Sequence, residues 1–430
     1  MSSICIIGMW HLGCVTCACL AKSHEIVGCD FDEKTIANLS LGKMPIFEPG
    51  LEEEIHAAMD KGKLRFSGNI KEAAKSSDII YITFDTPVDR NDNADITPIQ
   101  KTVELISEML SDRHIVIISS QLPIGTSRML LGKLQAKNKN VEICYTPENL
   151  RLGNALCAFM HPTRTVFGLS SPRIRQAVEE VFAGIEGERL FMDLESAEMS
   201  KHALNSYLAT LISFSGEISD LCEKSGANAI LVMDALRKEK RVSPDAPLSP
   251  GLGFGGGTLA RDVQVLRSLG KENGLSTILL DSVIGANKER LNYVQRRLCE
   301  VLGKLDGKTI AFFGLTYKPG TDTLRRSLAL EVIDSLKGSG ATLRAHDPAI
   351  LAAVETHPQL QIFTSADAAA AGADAIVITT AWEEFKSLDY AYICQKMHKP
   401  VIIDARNILL GVPLAKSISY YGVGVTNAGE

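Results

Sequence analysis

Ile4-Cys5-Ile6-Ile7-Gly8-Met9-Trp10-His11-Leu12-Gly13 stands almost at the start of the chain. Four apolar residues, a turn bounded by glycines and a run of small residues from Cys14 to Lys22 predict strand, loop and helix. Glu25 to Cys29 predicts a second strand, and Asp30 stands at its end. This is the opening unit of a dinucleotide-binding α/β fold. The first amides of such a helix, at the positive end of its dipole, suit a pyrophosphate. An acid about twenty residues on holds a ribose diol and repels a 2′-phosphate, so NAD is expected rather than NADP. Gly8, Trp10, His11, Leu12, Gly13 and Asp30 are therefore the cofactor candidates. Trp10 breaks the fingerprint, which wants glycine there so that the backbone can approach the phosphates. Either the loop runs differently at Trp10 or the indole covers the cofactor.

Further strand patterns follow at Asp78 to Phe84, Ile115 to Ser119 and Val141 to Tyr145, separated by helical patterns such as Ile99 to Leu110 and Arg128 to Leu134. This alternation predicts a parallel sheet covered on both faces. Ligands of such a sheet bind beyond the C-terminal ends of the strands. Three polar clusters fall there: Thr83 to Pro87, Ser119 to Pro123 and Thr146 to Asn149. They add Thr86 and Gln121 to the cofactor candidates and make Glu148 a candidate base or water holder. Ser196 to Cys222 reads as one long helix, with Lys201 and Asn205 on a shared face. Lysine stabilises an alkoxide and asparagine orients it, although helical spacing alone favours a solvated surface for this pair. Such a helix between two α/β halves is also a natural dimer surface. Past Leu305 a second α/β unit begins. Strands are expected at Thr309 to Gly314, Ala341 to Ala345, Ala375 to Thr379 and Val401 to Ile403, with a helix at Leu328 to Leu336. Lys318, Arg325 and Arg406 bring positive charge to strand ends, which suits a diphosphate.

Pro250-Gly-Leu-Gly-Phe-Gly-Gly-Gly-Thr-Leu-Ala-Arg-Asp262 holds five glycines ahead of a helical pattern at Val263, Val265, Leu266 and Leu269. Glycine lets a ligand approach the main chain. With Phe254 embedded and Arg261-Asp262 at its end, the stretch reads as a ligand cradle rather than a flexible linker, which would favour serine.

A chain of 430 residues with 45% hydrophobic and 22% charged residues is that of a globular protein with two or three domains. A net charge of −6 points away from nucleic acid. No apolar run is long enough to span a bilayer. Met-Ser-Ser leads straight into a strand without a basic leader, so no signal peptide and a cytoplasmic location are expected. Ten cysteines in apolar patterns read as reduced thiols. Cys14-x-x-Cys17, beside Cys19, reads as small core residues and not as a redox pair. No metal site is expected.

Several stretches together resemble the UDP-glucose/GDP-mannose dehydrogenase family over nearly the whole chain. They are Pro45-Ile-Phe-Glu-Pro-Gly-Leu51, Pro147-Glu148, Ser196-Ala-Glu-Met-Ser-Lys201, Gly253-Phe-Gly-Gly256, Lys318-Pro319, Thr380-Ala-Trp382 and Asp404-Ala-Arg-Asn407. The resemblance implies two Rossmann-like doubly wound domains joined by a central helical dimerisation region. The expected division is an NAD-binding domain at 1–195, a helical domain at 196–300 and a nucleotide-sugar-binding domain at 301–430. It implies a homodimer that oxidises the C6 hydroxyl of a nucleotide sugar, a UDP-sugar, to a carboxylate with two NAD molecules. By the same carry-over Lys201 and Asn205 stabilise oxyanions, Glu148 works in thioester hydrolysis and Asp262 organises water. Lys318 and Arg406 belong to the nucleotide-sugar end with Phe254 and Gly255, and Arg241 reaches a neighbouring subunit's site.

The chain departs from that pattern where the chemistry is hardest. The family's nucleophilic cysteine is Thr258 here, the following lysine is Arg261, the threonine before Leu122-Pro123 is Gln121, and an Arg-Glu pair is Arg325-Arg326. The first hydride transfer needs no covalent catalyst. The second needs a tetrahedral carbon, which a thiolate supplies near neutral pH and a threonine hydroxyl supplies only with an adjacent base. Three readings follow: a reaction that stops at the aldehyde or oxidises its hydrate, a full four-electron oxidation by another nucleophile, or a catalytically silent homologue or partner subunit. Cys144 and Cys157, near Glu148 in sequence, are the thiols from which a rescue could come.

Overall fold

Short apolar runs build the frame of the first unit. Its strands are β1 (Ser3–Ile7), β2 (Glu25–Cys29), β3 (Leu64–Ser67), β4 (Ile79–Ile82), β5 (Ile115–Ile118), β6 (Glu142–Tyr145), β7 (Arg164–Leu169) and β8 (Glu188–Asp193). They form one sheet in the order β3-β2-β1-β4-β5-β6-β7-β8. Successive side chains of a strand point to opposite faces. Ile4 and Ile6 accordingly join Cys14, Val15 and Ala18 in one core, while Cys5 and Ile7 join Ile99 and Val103 in another. The helix of small residues spans His11–Leu20, three residues earlier than expected, and all of it after His11 is buried. Residues of that size are what close packing on the sheet requires. The sheet is not wholly parallel: β7 runs antiparallel to β6, and β8 is parallel to β7.

The computed structural model describes residues 2–86, 94–138, 140–148, 150 and 152–425. It divides into Met1–His202 and Ala203–Glu430. The boundary falls inside the long helix Leu194–Ser225, which exceeds the expected Ser196 to Cys222 at both ends. The second unit contains the helices Ala229–Arg237, Thr258–Glu272, Ile278–Arg290 and Asn292–Leu302. Its six strands are β9 (Thr309–Phe313), β10 (Thr342–His346), β11 (Gln361–Ile362), β12 (Ala375–Ile378), β13 (Val401–Asp404) and β14 (Ser419–Gly422). Their order is β11-β10-β9-β12-β13-β14, and every pairing is parallel. Both units are thus doubly wound sheets with helices. Among the described residues no helix is long and apolar enough to cross a membrane.

The two units repeat one construction at the crossover of their sheets. Gly8 follows β1 with φ 110°, and Gly314 follows β9 with φ 96°. Their amides donate to Cys29 O at 2.9 Å and to His346 O at 2.8 Å. Thr83 Oγ1 donates to Gly8 O at 2.9 Å, as Thr379 Oγ1 does to Gly314 O at 2.6 Å. A Cβ on Gly8 would lie 2.8 Å from Phe84 N, and one on Gly314 2.7 Å from Thr380 N. Only glycine fits where the angle is positive and the neighbouring backbone is that close. The acids at the ends of β2 and β10 differ. Asp30 is half-buried and takes the Met9 amide at 2.6 Å. Asp347 is fully buried, and its Oδ2 accepts from Leu315 N, Thr316 N and Trp382 Nε1 at 2.6, 3.0 and 3.1 Å.

Candidate functional site

The turn after β1 delivers the chain into the helix His11–Leu20. Gly13 sits so close to the turn that a Cβ there would lie 1.9 Å from Gly8 O. Trp10 precedes the helix with φ −106° and ψ −154°, ordinary extended angles for an L-residue, and is 48% exposed. The backbone therefore does not demand glycine at this position, and the indole faces outward. Leu12 is buried, and Asp30 lies beside the turn through its bond to Met9. A glycine turn, a helix start and a half-exposed acid at the end of β2 are the parts that hold a dinucleotide, so the residues fit NAD. Phe31, next to Asp30, is half exposed and stacks on Phe84 at 5.9 Å between ring centroids. This pair was not anticipated from sequence.

Beyond β4, β5 and β6 the expected polar clusters meet. Thr86 is buried and donates to Gln121 O at 2.7 Å, so it pins the Gln121 loop. Gln121 Nε2 reaches Glu148 Oε2 at 3.5 Å, and Glu148 Oε1 accepts the Leu150 amide at 2.8 Å. Lys201 is 7% exposed and donates from Nζ to the Glu148 carbonyl at 2.7 Å. Glu148 and Lys201 are thus in one polar group, and Lys201 is not surface. Pro87 and Asn149, also named from sequence, lie outside the described residues. Cys144 is fully buried, and burial raises its thiol far above the usual range, which disfavours the thiolate. Cys157 is exposed.

In the second unit Asn205 is 5% exposed and donates Nδ2 to Asp262, whose carboxylate is fully buried. Arg261 Nε stands 3.6 Å from the other oxygen of that carboxylate. Thr258 is exposed at the first position of the helix Thr258–Glu272. The glycine-rich stretch before it is clamped, not loose. Asn287 accepts from Phe254 N at 2.8 Å and donates to Phe254 O at 3.0 Å. The Phe254 ring packs in a small core with Ala209, Val263 and Val283. Gly256 N donates to Arg326 O at 2.9 Å, and a Cβ on Gly255 would meet Leu328 Cγ at 2.8 Å. Arg326 is one of two non-glycine residues with positive φ among the described residues. Lys318 Nζ lies 5.7 Å from the Tyr317 ring centroid. Arg406 is half-buried at the end of β13; burial pulls its guanidinium down, and nearby Asp404 pushes it back up. Arg241 is exposed and paired with Glu239 at 2.9 Å. Among the described residues no group of three or more His, Cys, Asp or Glu could hold a metal ion.

Comparison with known proteins agrees with this geometry. The family model for the UDP-glucose/GDP-mannose dehydrogenase family, NAD binding domain, matches residues 2–186. The central-domain model matches 195–289, and the UDP binding domain model matches 311–410. The UDP-glucose 6-dehydrogenase TuaD of Bacillus subtilis is 32% identical over 431 residues, covering 99% of this chain and 93% of that protein. A UDP-glucose 6-dehydrogenase of Pseudomonas aeruginosa is 31% identical over 446 residues, covering 99% and 98%. Among solved structures, a UDP-glucose dehydrogenase from Pyrobaculum islandicum superposes with a TM-score of 0.87 at 28% identity, covering 99% of this chain and 98% of that one.

Proposed function

The chain belongs to the UDP-glucose/GDP-mannose dehydrogenase family, and on that premise we propose that it oxidises C6 of a UDP-glucose-like nucleotide sugar with NAD. The observation that carries this reading is Lys201: an ammonium group held inside the protein, with its Nζ on the Glu148 carbonyl. A buried lysine is costly unless its charge finds hydrogen-bond partners, and a cation held in place by a main-chain carbonyl suits an oxygen that gains negative charge.

The roles follow from the chain's own groups. The Gly8–Gly13 turn and the first amides of its helix hold the pyrophosphate, and Asp30 takes the ribose diol. NAD, when bound, accepts the hydride from C6. Lys201 stabilises the C6 oxyanion, and Asn205, fixed by Asp262, directs its free amide oxygen. Glu148 holds or deprotonates water. Phe254, Gly255, Lys318 and Arg406 form the nucleotide-sugar end. We keep the division at 1–195, 196–300 and 301–430 for these tasks.

Thr258 in the nucleophile's position favours modified chemistry. Oxidation of the C6 alcohol yields aldehyde, NADH and a proton. Water can then add to the aldehyde, and the hydrate can yield carboxylic acid with a second NADH and a second proton. A silent partner subunit is the alternative that the exposed Thr258 also supports. Counting NADH per UDP-glucose consumed, with mass spectrometry of the product, separates the cases. One NADH with aldehyde or two with acid supports the enzyme, and none supports the silent partner.

A homodimer in the cytosol completes the proposal. Tyr207, Phe214 and Leu221 recur at seven-residue spacing on the long helix and are 58%, 44% and 64% exposed. Such an apolar stripe fits a second copy of the helix. Eight of the ten cysteines are buried and all are free, which suits a reducing compartment.

A further inference from the structure

Glu48 has no part in the roles above, yet it is among the most constrained carboxylates of the first unit. It lies in the loop before the helix Leu51–Asp60 and is 4% exposed. Its Oε2 is bonded by His11 Nε2 at 2.9 Å and by the Gly153 amide at 2.9 Å, and its Oε1 by the Ala155 amide at 2.8 Å. Burial pushes this carboxyl up, but the amides of Ala155 and Gly153 and the His11 ring outweigh it and hold the group below its ordinary value. A buried carboxylate with both oxygens engaged is a fixed point.

What it fixes is informative. His11 is the first residue of the helix that follows the cofactor turn, directly after Trp10. Ala155 is the first residue of the helix Ala155–Met160, Gly153 stands two residues before it, and Leu150, earlier in the same stretch, bonds the Glu148 carboxylate. One side chain therefore ties the start of the cofactor helix to the start of the helix Ala155–Met160, on the stretch that follows Glu148. A neutral amide offers one acceptor oxygen in place of two, so it cannot accept from all three donors at once.

We propose that Glu48 is a positioning residue for both halves of the reaction, setting the cofactor turn through His11 and the Glu148 loop through the amides of Gly153 and Ala155. The loop half rests on the proposed role of Glu148; the cofactor half does not.

The test uses the full-length protein with NAD and UDP-glucose. Glu48→Gln turns an amide NH₂ toward one of the present donors. It is expected to raise the Kd for NAD, measured by calorimetry, and to lower the rate of NADH formation at saturating substrates, each by about tenfold, the scale of one lost charge-assisted hydrogen bond. His11→Phe cuts only the turn's tie and is expected to raise the Kd for NAD while affecting the saturated rate less. A merely structural role would lower the thermal midpoint and the folded fraction but leave the Kd of the folded fraction unchanged. Unchanged Kd and rate in folded Glu48→Gln overturn the proposal. Should that variant not fold, Glu48→Asp, one methylene short of spanning both segments, is read by the same two outcomes. Glu148→Gln checks the reading beneath: normal turnover there refutes the role of Glu148 and the loop half with it, while the NAD affinities still decide the cofactor half.

Discussion

Asn205 donates its side-chain amide to the fully buried carboxylate of Asp262. The bond joins the long helix Leu194–Ser225 to the helix that follows the glycine-rich stretch. It leaves the Asn205 amide oxygen aimed by its partner instead of free to rotate. Asp262→Ala strands that amide and removes the acceptor near Arg261. Stability is expected to fall by about 1–3 kcal/mol, the usual cost of an unsatisfied buried polar group. NADH formation should fall by more than the lost folded fraction explains. Urea titration beside initial rates checks both, and equal losses would reduce the pair to scaffolding.

Gly13→Ala places a methyl group 1.9 Å from Gly8 O, closer than any relaxed contact. The clash is with backbone, so the turn itself must move. Loss of measurable NAD binding in a folded protein is the expected outcome, read by calorimetry with circular dichroism as the control. Binding of wild-type strength would mean that the cofactor does not use this turn.

Thr258→Cys restores a thiol at the exposed first position of its helix, where the dipole lowers a thiol pKa. Acid product and the yield of NADH per sugar are expected to rise toward two. If the product distribution is unchanged, the position does not face the reacting carbon.

Native thiol labelling at pH 8 should give two fast sites, Cys157 and Cys299, with the other eight reacting only on unfolding. Burial pushes Cys14 and Cys19 up to about 12, so raising the pH to 9 should make neither of them fast. Fast labelling of Cys14 or Cys17 would reopen the redox reading of that pair.

Phe214→Lys puts a charge in the middle of the exposed stripe on the long helix. Light scattering is expected to show a dimer for the wild type and a monomer, or a dimer weakened at least tenfold, for the variant. A wild-type monomer at tens of micromolar removes the proposal.

The first strand, turn and second strand could be read from sequence because apolar runs and glycines act locally. β7 and β8 could not. Arg-Thr-Val-Phe-Gly-Leu and Glu-Arg-Leu-Phe-Met-Asp lie toward one edge of the sheet, and their partial exposure blurs the hydrophobic run. The site was legible in a different way. Their residue types made Lys201 and Asn205 candidates, helical spacing alone favoured a solvated surface, and the resemblance to a family weighed the other way. Their burial comes from partners 53 and 57 residues away, which no local pattern encodes. Glu48 was quoted within a motif but given no task, since its partners lie 37, 105 and 107 positions distant. Trp10 departs from a fingerprint that describes a backbone, and here the backbone angles at that residue are ordinary extended ones with the indole half exposed.

The acid that ends β10 has its Oδ2 enclosed by two loop amides and an indole, whereas the one that ends β2 still faces outward. A ribose can therefore be greeted in this way at only one of the two crossovers, and the described residues offer a single berth of this kind for a dinucleotide. Any sugar taken all the way to the acid must wait through an exchange of visitors, with reduced coenzyme leaving and fresh coenzyme arriving while a reactive aldehyde stays behind. How tightly the protein grips that aldehyde during the changeover, and not only how fast it removes hydride, then decides which product is released.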